Sequence, residues 1–196
     1  MRRPPAAFTT WNPSDKNASI TLSNGNRTGT NNTGGAHAGV RSIASRSTGK
    51  YYYEIYANVQ TFTGFSYFGV ANSTASLSNY LGVDANAAIM TGGGGAVCNG
   101  ASIGTGDGLA NTQTMGIAVD FTALKIWFWN NVTARWNGDI LANQNPSNGT
   151  GGFSIAALAA GPYFPAMSIY QLNDQFTANF GATAYLNTAP TGFGNW

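Results

Sequence analysis

Nine short runs rich in aromatic and β-branched residues dominate this chain, each bounded by clusters of Gly, Asn, Ser and Thr. They cover 19–23, 50–59, 65–71, 80–83, 87–90, 114–120, 125–129, 164–170 and 175–180. None continues into the 3.6-residue apolar period of a long amphipathic helix. Between them, Asn24-Gly25, Asn99-Gly100, Asn137-Gly138 and Asn148-Gly149 supply residues that accept the positive φ of tight hairpin turns. Many short strands, tight turns and no internal repeat predict an all-β antiparallel sandwich.

At 196 residues the chain suits one domain with a substantial core. Hydrophobic residues make up 43%, enough to drive folding despite 26 glycines. Charged residues make up only 8%, against about 25% in ordinary domains, so neutral Asn, Thr, Ser and Gly must carry solubility. Such a surface suits a protein assembled into a larger structure or displayed outside a cell. Cys98 is the only cysteine, which excludes an intrachain disulfide and a CxxC site. The opening "MRRPPAAF" lacks the apolar stretch of a signal peptide, and no segment is long and apolar enough to predict membrane insertion.

Seven of the nine basic residues lie in the first 50 positions, against Asp15 alone. This segment, with Arg2, Arg3 and Lys16, is a candidate docking side, and residues 1–39 are expected to form a partly extended N-terminal arm carrying the first strand. The charges are scattered and lack interleaved aromatics, which argues against nucleic acid.

Two segments are expected to be long exposed loops: the glycine-rich "TGGGGAVCNGASIGTGDG" at 91–108, and "NQNPSNGTGG" at 143–152. In "LKIWFWNN", 124–131, Ile126 and Phe128 alternate with Trp127 and Trp129, so both strand faces are apolar. One face meets the core, and the other needs a cover, supplied by a chain terminus or by a partner.

Catalytic patterns are missing. His37 is the only histidine and lies far in sequence from Cys98, so a Cys-His pair would depend wholly on the fold. The six aspartates are isolated, and no local spacing presents paired carboxylates. Gly49-Lys50 is followed by Tyr51 where a phosphate loop needs Ser or Thr, and Asp107 has no neighbouring acids to complete a calcium site. No cofactor or metal is expected. Glu54, the only glutamate, shares a strand face with Tyr52 and Tyr56. A carboxylate buried there needs hydrogen bonds or a cation, so a structural role is expected for it.

Several of these stretches resemble one family. "STGKYYYEIYANV", 47–59, is similar to the signature strand of SPRY domains, in which Gly-Lys precedes aromatics and a Glu followed by an aliphatic residue. "FSYFGVANS" (65–73), "YLGVD" (80–84), "MGIAVDFTALKIWFWNN" (115–131), "YFPAMSIY" (163–170), "FTANFG" (176–181) and "APTGF" (189–193) resemble its later segments, in order. The likeness covers residues 40–196. It implies a bent sandwich of two antiparallel sheets, no catalysis, ligands held by loops at one edge, and a framework role for Glu54. The turn "NNVTARWNGD", 130–139, departs from the family's short Asn-Gly by inserting Arg135 and Trp136, so ligand loops of animal members do not transfer.

The Asn, Thr and Gly richness and the opening "TTWNPSDKNASITLSNGN" resemble SPRY-like proteins of bacteria and their phages. That likeness implies a virion decoration protein, attached to capsid or tail proteins, with a host-surface glycan or protein as ligand and homo-oligomers as one arrangement. Tyr80, Asp107, Asn130, Arg135 and Trp136 are the candidate ligand contacts. Trp136 beside Arg135 could stack on a sugar or a partner's aromatic, or could plug the hairpin. The alternatives are a stand-alone bacterial carbohydrate- or protein-binding module, and a polysaccharide hydrolase whose acids meet only in the fold.

Overall fold

The computed structural model describes residues 8–196. In chain order its strands are β1 (Trp11–Lys16), β2 (Ile20–Ser23), β3 (Thr28–Asn31), β4 (Ala38–Ser42), β5 (Lys50–Val59), β6 (Ser66–Asn72), β7 (Ala87–Thr91) and β8 (Gly95–Cys98). They continue with β9 (Ala101–Thr105), β10 (Thr114–Asp120), β11 (Lys125–Asn130), β12 (Arg135–Trp136), β13 (Phe153–Ser154), β14 (Tyr163–Ile169), β15 (Gln175–Asn179) and β16 (Gly194–Asn195). Two 3-10 turns, Thr63–Phe65 and Pro146–Asn148, are the helical content of the described residues.

The strands form two sheets. The first runs β1-β4-β14-β6-β7-β8-β9, and the second β12-β11-β10-β5-β15-β3-β2, with β13 on β11 and β16 on β5. Every pairing is antiparallel except the short parallel one of β16 with β5. Register shifts in β1, between β5 and β15, and between β8 and β9 add the local twist that bends such sheets. The expected all-β sandwich is therefore the observed one.

The main core lies between the sheets. Tyr53, Ile55 and Ala57 of β5 and Ile117 and Val119 of β10 meet Phe68 and Val70 of β6, Met90 of β7 and Met167 of β14. Tyr53 crosses the core to donate from its hydroxyl to the Gly69 carbonyl at 2.5 Å, fixing one sheet against the other. Trp11, at the start of β1, packs edge-on to Phe180 at 5.1 Å between ring centres.

Three expectations need correction. The 80–83 run is a turn, because Gly82 has φ +92° and Leu81 is buried as a plug on the outer face of the first sheet with Ala75 and Ile89. The 91–108 segment is not one long loop: Ala96 and Cys98 alternate into the core, and Asn99 and Gly100, at φ +54° and +69°, turn β8 into β9. Three of the Asn-Gly pairs have positive φ at both residues, whereas Asn148-Gly149 ends a 3-10 turn with only Gly149 left-handed.

The second apolar face of β11 is covered by the chain itself. Residues 182–193 lie across the outside of the second sheet, where Tyr185, Ala189 and Phe193 pack on Tyr52, Ala118 and Trp127. Glu54, only 3% exposed, fastens this strap. Its Oε1 accepts from the Tyr52 hydroxyl (2.9 Å), the Asn187 amide (2.8 Å) and the Asn187 carboxamide (2.9 Å), and its Oε2 from the Leu186 amide (2.8 Å). The Tyr185 hydroxyl adds a bond to the Tyr52 carbonyl at 3.0 Å. Gly116, the β10 partner of Glu54, leaves the room that the Tyr52 ring fills. Burial first, then the Glu54 carboxylate, push the Tyr52 hydroxyl far above its ordinary pKa, so it stays a donor.

Glu54→Ala leaves these donors without their acceptor, and is expected to destabilise the protein by about 2–4 kcal/mol. Denaturant unfolding measures the loss, and hydrogen exchange should show Leu186 and Asn187 exchanging faster while β7 and β14 amides remain protected relative to global unfolding.

Candidate functional site

Antiparallel pairing brings the loops β3–β4, β5–β6, β7–β8, β9–β10, β11–β12 and β14–β15 to one end of the sandwich. Backbone bonds tie neighbouring loops together there: Gly92 N to Ser66 O (2.7 Å), Leu109 N to Gly92 O (2.9 Å) and Tyr170 N to Phe65 O (3.2 Å).

A continuous chain of six rings runs from this end onto the outer face of the first sheet. Phe62 stacks on Phe65 (5.2 Å between centroids), Phe65 lies against Tyr170 (5.1 Å), and Tyr170 against His37 (4.9 Å). His37 also meets Tyr67 (5.1 Å) and Tyr80 (5.8 Å), which stack on one another at 5.5 Å. Phe62 is 54% exposed and Phe65 40%, whereas His37, Tyr67, Tyr80 and Tyr170 are half-buried. Leu172, also exposed, lies against Gly34 at the same end. An apolar rim backed by rings held in place by each other offers contact area with little side-chain entropy left to lose on binding.

The loops under the rim are held by buried polar groups. Asp174, fully buried, accepts from the Thr61 amide (2.7 Å) and hydroxyl (2.8 Å), and the Asn111 carboxamide oxygen accepts from the Gln60 amide (3.1 Å). The second Asp174 oxygen, both Gln60 side-chain polar atoms and the Ser66 hydroxyl have no partner among the described residues.

The five expected contact residues are split by the fold. Tyr80 stands in the ring chain. Asp107, Asn130 and Arg135 gather at the β9–β10 and β11–β12 loops: Asp107 accepts from the Thr133 hydroxyl (2.6 Å), Asn130 donates to the Gly108 carbonyl (2.6 Å), and exposed Arg135 pairs with Asn130 across the ladder. Asn130 is 4% exposed and its oxygen also accepts from the Val132 and Thr133 amides, so it shapes the turn. Trp136 is not exposed: it is 6% accessible and packs against Trp129 at 5.2 Å and Tyr52 at 6.4 Å. With its ring in that cluster it fills the hairpin, the second of the two arrangements its sequence position allowed.

On the expected docking side, Arg2 and Arg3 lie outside the described residues. Lys16 donates to the Ile20 carbonyl at 2.6 Å. Other N-terminal cations are engaged internally: Arg41, 6% exposed, holds Asp15 through two bonds of 2.8 Å, and Lys50 pairs with Asp120 at 3.2 Å.

His37 and Cys98 lie on opposite faces of the first sheet, His37 outside with Tyr67 and Cys98 in the core, so they make no nucleophile–base pair. Burial raises the Cys98 pKa, away from the reactive thiolate. Among the described residues, no group of three or more His, Cys, Asp and Glu side chains is placed to hold a metal ion, and no helix is long and apolar enough to cross a membrane.

Sequence reasoning overlooked Phe62, Phe65, His37, Tyr67 and Tyr170 as a group. The signal was "TFTGF", 61–65, where two phenylalanines flank Thr63-Gly64 just beyond a strand instead of alternating within it.

No family profile matches the sequence, and no curated protein matches it. Solved structures do match in shape. The SPRY domain of human HERC1 superposes with a TM-score of 0.66 at 14% identity, covering 89% of this chain and 99% of that domain. The TRIM65 PSpry domain gives 0.62 at 12% identity, covering 88% and 92%, and a human SPRY domain gives 0.61 at 15%, covering 85% and 98%. The chain therefore has the fold of SPRY domains over most of its length.

Burial holds the His37 pKa below its ordinary 6.5. Because the folded value is depressed, His37 adds to stability above the unfolded value, and that contribution is lost as pH falls through the folded value. His37 gives the only imidazole resonance, so an NMR titration should place its midpoint below 6.5, and His37→Gln should flatten the fall of Tm with acid over that range.

Proposed function

We propose that this protein is a non-catalytic binding module that grips a protein partner with the aromatic loop end of its sandwich. The observation that carries the reading is the six-ring chain, half-buried at Tyr80 and open to solvent at Phe62 and Phe65. Its exposed members, Phe62 and Phe65, stack on one another, and with exposed Leu172 at the same end they form an apolar rim suited to a polypeptide. The loops with Asp107 and Arg135 add a polar border, and Tyr80 is the one sequence-derived contact within the ring chain. The SPRY-like fold shared with the HERC1 and TRIM65 domains supports the reading of a binding module.

A finer reading places the module on a phage particle, bound to capsid or tail proteins, with Lys16 and the preceding arginines on the docking side. Its support is the 8% charge content and the Asn-, Thr- and Gly-rich surface, which suit a chain held in an assembly. Cryo-electron microscopy of purified particles distinguishes the two: symmetry-related copies on the particle favour it, and their absence favours a stand-alone module.

Phe62→Ala combined with Phe65→Ala is expected to weaken capture of the partner about 100-fold, as loss of two hot-spot aromatics does. The Tm should change little because both rings are already exposed. Titrating the partner recovered with the wild-type protein against the double variant checks both quantities.

A further inference from the structure

The outer face of the second sheet carries a site distinct from the aromatic end. Beyond the edge of the strap, a row of hydroxyl side chains crosses five strands in register: Ser23 opposite Thr28, Thr28 opposite Thr177, Thr177 opposite Tyr56, and Tyr56 opposite Thr114. Where this row meets the strap there is a cavity of about 330 Å³, within the size range of small-ligand pockets. Tyr56, Thr112, Thr114 and Leu186 line it, and Glu54 forms part of its wall.

Three observations point to a ligand. The Thr177 hydroxyl is already bonded to Thr28 (2.7 Å) and Asn58 (2.6 Å), whereas those of Tyr56, Thr112 and Thr114 have no hydrogen-bond partner among the described residues. Glu54 Oε1 accepts three bonds and Oε2 only one, so a buried carboxylate keeps acceptor capacity at the cavity wall. Thr112 sits at φ +62°, a left-handed conformation that a β-branched residue adopts only under strain and that glycine would accept freely. Such strain gathers at ligand-binding positions, where the side chain is needed more than the backbone ease.

We propose that this cavity binds a neutral pyranose. The 38%-exposed Tyr56 ring offers an apolar platform for the sugar's C–H face. Thr112 and Thr114 exchange hydrogen bonds with ring hydroxyls, and Glu54 Oε2 accepts one more. Among the described residues lining the cavity, Glu54 is the one acidic side chain and none is basic, so acidic sugars are disfavoured and neutral ones accepted.

The test titrates the full chain with glucose, galactose, mannose, N-acetylglucosamine and glucuronate at millimolar concentrations, followed by amide NMR. The expected result is saturable shifts at Tyr56, Thr112, Thr114 and Leu186 with at least one neutral sugar and none with glucuronate. Tyr56→Ala and Thr112→Gly should each weaken that binding about tenfold or more. Thr112→Gly relieves a strained residue, so its Tm should hold or rise, separating lost recognition from lost folding. No saturable shift with any neutral sugar, equal binding of glucuronate, or unchanged affinity in both variants overturns the proposal. The Phe62→Ala and Phe65→Ala double variant should bind sugar normally, so failure here and failure of the aromatic end are read separately.

Discussion

One buried carboxylate makes four of the bonds that fasten the outer layer of this protein, and the Tyr185 hydroxyl adds another. The Trp127 and Tyr52 side chains point away from the core, and without a cover they would leave a large apolar patch on the second sheet. The strap of residues 182–193 covers them, but it is largely irregular and cannot satisfy its own amides as a strand would. Glu54 supplies the acceptors, taking the Leu186 and Asn187 amides onto its two oxygens. The strap and Glu54 then form walls of the cavity beside Tyr56, so the same carboxylate that completes the fold also borders the proposed sugar site.

The sandwich separates rigidity from recognition. Between the sheets, Tyr53 bonds across the core and large side chains such as Phe68, Phe128 and Phe176 are fully or almost fully buried. At the loop end, Phe62, Phe65 and Leu172 face solvent, and Asp174 and Gln60 retain buried polar atoms without partners among the described residues. Rings braced by one another on a stiff sheet give a surface whose shape is set before a ligand arrives, which lowers the ordering cost of binding.

Legibility in the sequence followed the strength of alternation. The ranges read for β5 and β10 coincide with the observed strands, because each alternates core and outer residues without interruption. β4 escaped notice because Arg41 within it reads as a surface residue, yet Asp15 neutralises its guanidinium and the Asn72 and Ala75 carbonyls accept its hydrogen bonds. β1 contains Pro13 and Asp15, tolerable only because it is an edge strand with a bulge. The β8–β9 hairpin was hidden by its glycines, although Asn99-Gly100 marked its turn. Glu54 was readable as structural, but not its partners, which lie more than 130 positions away at Leu186 and Asn187. The ring chain was hidden for the same reason, since residues from 37 to 170 meet only in three dimensions.

The aromatic loop end is the proposed seat of a protein partner. Hydrogen–deuterium exchange of the full chain, with and without the partner it captures, tests this most directly. Protection concentrated in residues 60–65, 79–80 and 170–172 is the predicted result. Protection confined to other surfaces, such as residues 139–152, would contradict it.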